Sequence, residues 1–146
     1  MSEDLKNEII DFMKKGRFCT LATVGRKSGR PQAATIGYEN AEFDIYFATG
    51  GKTAKFRNIK SNPWVAIAIY YSDPGTLGAK GLQYFGKAEV IPEKDFDQVP
   101  ERTLNTYNRI SKQDPARNEV IVRVKPNKIL YWNPPKGFGH IDVVKF

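Results

Sequence analysis

Hydrophobic and polar positions alternate with two different periods along this chain, and each change of period marks an element. Residues 4–15 set Leu5, Ile9, Ile10, Phe12 and Met13 among charges at about helical spacing, with Gly16 as a stop, which predicts a short amino-terminal helix. Residues 17–24 form a compact apolar strand. The cluster from Gly25 to Pro31 then turns the chain into a second strand, 32–38, a hairpin signal. A further turn at 39–42 leads to 43–48, where Phe43, Ile45 and Phe47 alternate with Asp44 and Tyr46, so three strands in a meander are expected.

Beyond a short helix at 53–60, residues 64–71 read as a nearly continuous apolar strand, buried on both faces or lying at a subunit contact. Asp73-Pro-Gly75 marks a loop. Residues 82–91 form a strand with a bend or bulge expected at Gly86, and 92–112 a helical region with a break at Pro100. Two more strands, 119–124 and 128–132, flank Lys125-Pro-Asn127; residues 134–139 are a loop and 140–146 a last strand. Six or seven short strands with few helices indicate a mainly β fold, an antiparallel barrel with helical insertions.

Composition narrows the function classes. At 146 residues the chain is a single domain's worth, and a hydrophobic fraction of 40% with 12% aromatics supports a packed core. No apolar run approaches the roughly 20 residues that span a bilayer, and the first 15 residues lack the apolar centre of a signal peptide, so a soluble cytoplasmic protein with no membrane partner is expected. Cys19 has no partner for a disulfide and lies in an apolar run, where it reads as a small buried hydrophobe. One cysteine and one histidine make neither a metal site nor a triad. The net charge of +7 suits anionic ligands, but the basic residues are scattered and carry no recognition signature, which argues against nucleic acid.

The chemistry concentrates where the strand ending in Tyr46-Phe-Ala-Thr49 enters Gly50-Gly-Lys-Thr53 and the next helix. Thr49, Lys52, Thr53 and Lys55 bring hydroxyls and ammoniums to a helix start, a place where backbone N–H groups also converge on an anion. That is a phosphate seat; the same residues also make an ordinary solvated turn in which Thr53 is only the N-cap. The segment lacks the first glycine of a P-loop, and no G-x-G-x-x-G follows a strand, so neither a nucleoside triphosphatase nor a dinucleotide fold fits.

Phe18-Cys-Thr-Leu-Ala-Thr-Val24, Gly29-Arg-Pro31, Phe47-Ala-Thr49, Lys55, Asn58-Ile59, Asn62-Pro63, Gly86-Lys-Ala-Glu89 and Trp132 occur in that order over nearly the whole chain. In this arrangement the chain resembles the pyridoxamine 5′-phosphate oxidase-like family of FMN-binding split barrels. The resemblance implies FMN as cofactor, held in two sites at the interface of a homodimer. It places the backbone of Ala34, Thr35, Ile36 and Gly37 along the isoalloxazine ring and Thr49 beneath the ring or ribityl chain. Lys52, Thr53 and Lys55 would hold the phosphate, and Gln83 would reach the flavin, although Gln is also an ordinary outward strand residue. Trp132 would cover the ring from the second subunit, or else pack the barrel end.

Departures from the family pattern bear on activity. Members that oxidise pyridoxamine phosphate carry an Arg early in the second strand and a Lys at its end, where this chain has Ala33 and Tyr38; only His140 stands where carboxy-terminal arginines would. The resemblance therefore implies a flavin-dependent oxidoreductase acting by hydride transfer on a small molecule other than pyridoxamine phosphate, with no protein acid or base nominated as catalytic. A flavin carrier or stress-related binding protein, and a deazaflavin (F420)-dependent reductase, are the competing readings.

Overall fold

In the computed structural model of the protein, residues 1–71, 80–137 and 139–146 are described. Helix α1 (Glu3–Lys15) starts on Ser2, whose Oγ accepts from Leu5 N at 3.1 Å, and carries acids in its first turn and lysines in its last, in line with the helix dipole. Strands β1 (Phe18–Val24) and β2 (Pro31–Gly37) form the expected hairpin. They are followed by β3 (Glu39–Ala41), β4 (Asp44–Gly50), α2 (Ala54–Ser61), β5 (Trp64–Tyr71) and β6 (Lys80–Ile91). A 3₁₀ turn at Glu93–Gln98 precedes α3 (Glu101–Gln113), with Pro100 at its N-cap as the proline pattern predicted. Strands β7 (Glu119–Trp132) and β8 (Ile141–Lys145) complete the chain, joined by a loop whose 3₁₀ turn is Pro134–Lys136. The loop expected at Asp73-Pro-Gly75 lies outside the described residues, as does Phe138.

The fold is a mainly β split barrel, one antiparallel sheet of eight strands in the order β2-β1-β5-β6-β7-β4-β3, with β8 on β7. Four expectations are corrected by this topology. The first three long strands do not form a meander: β4 pairs with β3 and β7, while β1 pairs with β2 and β5. Residues 39–41, expected as a turn, are the extra strand β3, which raises the strand count among the described residues to eight. Pro126 does not divide β7, because it sits opposite Gly86 at the bulge, where the register shifts between Phe85 and Gly86 and an N–H is not required. A Cβ on Gly86 would stand 2.4 Å from Lys125 O, so the two strands close there only over a glycine.

The fourth concerns β5, which is buried on one face only. Val65, Ile67 and Ile69 point into the core; Trp64 and Tyr70, on the other face, are exposed by 53% and 70%. That leaves the subunit-contact alternative for its outer face.

The main core fills the barrel, with Leu21, Ile45, Phe47, Ile67, Leu82, Tyr84, Val122 and Ile129, and is plugged at one side by Ile9, Phe12 and Met13 of α1. Cys19 is buried in it, and burial pushes its thiol up to about 12. A second, smaller cluster of Tyr46, Ile91, Val99 and Ile121 seats α3 and the turn before it on the outer face of β4, β6 and β7. The two ends of the strand order, β2 and β3, are separated in sequence by Tyr38 alone. Its backbone O accepts from Arg102 Nη2 at 2.7 Å, so α3 clamps the seam.

Candidate phosphate seat and the clefts around it

Helix α2 begins with the features that anion sites use. Thr53 is its N-cap: Thr53 Oγ1 accepts from Phe56 N at 3.3 Å and donates to Gly50 O at 2.9 Å. Capping and phosphate binding are thus compatible roles, since the Ala54 and Lys55 amides at the helix start have no acceptor among the described residues. The first turn of α2 contains no acid, whereas α1 opens on Glu3 and Asp4 and α3 on Glu101. It carries Lys55 instead, a cation at the positive end of the helix dipole, which disfavours the helix unless an anion sits there. No ion pair among the described residues uses Lys52 or Lys55.

A cavity of about 210 Å³ opens at that end, lined by Leu21, Thr23, Gln32, Ala33, Ala34, Thr53, Ala54 and Lys55. The structure therefore brings Ala34, Thr53 and Lys55 together. Lys52 is exposed and outside this cavity. Thr49, which directly precedes Gly50, shares its strand face with Ile45 and Phe47. It is 3% exposed, and its Oγ1 has no hydrogen-bond partner among the described residues. A buried hydroxyl left unpaired is costly, but Thr49 is not among the residues that line this cavity.

Asn58 fixes the helix against the β1–β2 hairpin. It is 4% exposed, accepts from Arg26 N at 2.9 Å, and donates to Thr23 Oγ1 at 3.1 Å and Gln32 Oε1 at 2.6 Å. Two of these partners line the cavity, so Asn58 sets the distance between Lys55 and β2.

The other expected site residues lie elsewhere on the barrel. Thr35 and Gln83 fall on one cross-strand row of the outer face, Thr35–Thr20–Ala68–Gln83–Leu130, three strand spacings or about 14 Å apart. The Ile36 side chain is buried in the core, so only its backbone is available to a ligand. Gln83 and Trp132 share a hollow of about 200 Å³ with Ala68, Tyr70, Gly81 and Ile141, which has no residue in common with the seat cavity. Trp132 does not pack the barrel end: it is 38% exposed on the outer face. His140 is paired, with Nε2 3.0 Å from Asp142 Oδ1. Although some burial opposes it, hydrogen bonding from His140 and Lys136 holds the Asp142 carboxyl below the usual carboxylate range.

Gly37 opens onto a second cleft, of about 400 Å³, bordered by Tyr38, Phe47 and Ala48 and by three arginines, Arg17, Arg102 and Arg109. Sequence reasoning missed these arginines as a group. Arg102 and Arg109 are two turns apart on α3, a spacing visible in the sequence, but only folding brings Arg17 beside them.

The pyridoxamine 5′-phosphate oxidase family model matches residues 5–133. The chain belongs to this family. Among solved structures, the general stress protein 26 of Bacillus anthracis is 22% identical, covering 97% of this chain and 98% of its own, with a TM-score of 0.70. An FAD-binding protein of Mesorhizobium loti is 16% identical over 88% of this chain and 92% of its own, at 0.67. A heme-binding protein of Mycobacterium smegmatis is 16% identical over 99% of this chain but 58% of its own, at 0.76. At such identities these likenesses show the fold alone. No curated protein sequence matches the chain.

Proposed function

We propose that this family member binds FMN and works as a flavin-dependent oxidoreductase on a small acidic molecule. The observation that carries the reading is the acid-free start of α2, where Lys55, Thr53 and free backbone amides border a cavity beside Ala34. A phosphate monoester there is held by charge-assisted hydrogen bonds and the helix dipole together. When bound, the flavin supplies two-electron hydride chemistry. The protein's part is to bind, orient and exclude water, with the backbone of β2 beside the ring. Arg17, Arg102 and Arg109 give the cleft next to Gly37 its charge, which selects anionic substrates.

A second copy of the chain completes the site in this reading. Phe18, Tyr70, Trp132, Ile141 and Val143 are exposed by 69%, 70%, 38%, 51% and 55% on the outer sheet face. Tyr70, Gly81, Trp132 and Ile141 align in one cross-strand row, an apolar stripe that pairing with a like stripe would remove from water. Such pairing is also what would carry Gln83 and Trp132 of one protomer toward the seat of the other.

The deciding experiment is the absorption spectrum and mass of the ligand released from purified protein, followed by fluorescence titration with FMN and sedimentation to give the oligomeric state. A flavin spectrum, an FMN mass and a dimer are expected. A deazaflavin mass, a haem Soret band, or failure to bind added FMN would refute the cofactor assignment; bound FMN without turnover of any reducible acid would favour the carrier reading.

A further inference from the structure

The turn that precedes α2 is pinned from behind. Gly51 donates its N–H to both Arg117 O, at 3.0 Å, and Asn118 O, at 2.9 Å. A Cβ on Gly51 would stand 2.7 Å from Asn118 O, so the two turns approach this closely only over bare backbone. A Cβ on Gly50 would meet Arg117 Nη2 and Thr53 Cγ2, each at 3.3 Å. The Arg117 guanidinium therefore rests against Gly50, next to the residue that caps α2.

It is also held in place. Arg117 Nε donates to Glu119 Oε1 at 2.8 Å, and the Glu119 side chain is 0% exposed while that of Arg117 is 46% exposed. Burial fixes the carboxylate, and the carboxylate fixes one edge of the guanidinium. Its two terminal nitrogens have no acceptor among the described residues. A guanidinium held at Nε presents those nitrogens as a fork that matches two phosphate oxygens.

A phosphate at the seat would call for further directed donors. Lys55 brings one positive charge to the cavity, whereas a phosphate monoester carries about −1.5 to −2 near neutral pH. Neither Lys52 nor Arg117 lines that cavity, but Arg117 Nη2 and Thr53 Cγ2 both stand 3.3 Å from a Cβ built on Gly50, which puts the guanidinium beside a residue that does. Glu119 offsets much of the long-range field of Arg117, so what Arg117 offers is short-range and directional, a pair of aimed donors.

We propose that Arg117, aimed by the buried Glu119, is the second phosphate-binding cation of the seat, and that it makes the chain select a phosphorylated flavin over an unphosphorylated one. This inference rests on the flavin reading above and adds a residue and a selectivity to it.

The test compares FMN with riboflavin, which lacks the phosphate, by quenching of flavin fluorescence. The Arg117→Met/Glu119→Gln double variant removes both members of the pair and leaves no lone buried charge to oppose folding. It is expected to bind FMN about tenfold or more weakly than the wild type, with riboflavin binding changed by less than about twofold. Arg117→Lys keeps the charge without the fork and should fall between. Equal losses for both flavins would make the pair structural, and unchanged FMN affinity would remove Arg117 from the site; either result overturns the proposal while the flavin reading stands. A wild-type protein that binds neither flavin overturns that reading, and this proposal with it.

Discussion

Replacing Asn58 with alanine tests whether the seat is held by a polar network or by packing alone. The side chain is 4% exposed and makes three hydrogen bonds, to Arg26 N, Thr23 Oγ1 and Gln32 Oε1. Each such bond is worth about 0.5–1.5 kcal/mol net, and buried Thr23 loses a partner that water cannot easily replace. The expected loss of stability is about 2–4 kcal/mol, read from urea unfolding as a lower midpoint at unchanged slope. Asn62 supplies the internal control. Its Oδ1 accepts one exposed bond, from Trp64 N at 3.1 Å, so Asn62→Ala should cost less than about 1 kcal/mol. FMN affinity should also fall in the Asn58 variant, because Lys55 is then free to move away from β2. An Asn58→Ala protein no less stable than Asn62→Ala would refute the claim that this network sets the geometry of α2.

Further outcomes can be checked separately. Lys55→Ala should weaken FMN binding by about 1.5–3 kcal/mol for each charge-assisted hydrogen bond lost, in a fluorescence titration; unchanged affinity counts against the seat. Gly86→Ala should destabilise by about 1–3 kcal/mol or more in thermal or urea unfolding, because its Cβ would stand 2.4 Å from Lys125 O and 2.9 Å from Val124 Cγ1. Cys19, with its thiol pushed up to about 12 by burial, should resist a thiol reagent at pH 8 in the native protein and react at once in urea. Asp142 has a folded pKa below its unfolded one, so the stability it contributes is present above the ordinary carboxylate pKa of about 3.9 and is lost as pH falls through the lower folded value. The urea midpoints of wild type and Asp142→Asn should therefore differ at pH 6 and converge in strong acid, and a gap that persists there would assign Asp142 another role.

What the sequence by itself determined about this protein is whatever neighbours along the chain decide. The capped and charge-graded ends of α1, the Thr53 cap, the bulge at Gly86, the Pro100 break and the alternation inside each strand all follow from local backbone sterics and side-chain period. Lys55 and Thr53 were legible as a pair because they lie within one turn of one helix. Pairing partners were not legible. A strand's own alternation states which face is buried but not which strand lies beside it, so β4 could be placed next to β2 when in the fold it lies between β3 and β7. Likewise Pro126 reads as a break until Gly86, forty residues away, supplies a bulge that needs no N–H. The meeting of Arg17 with Arg102 and Arg109, the Asn58 network and the contact of Arg117 with Gly50 join residues that are 26 to 92 positions apart. Only tertiary structure decided those, because closing long loops costs chain entropy that is recovered solely when the whole barrel core packs.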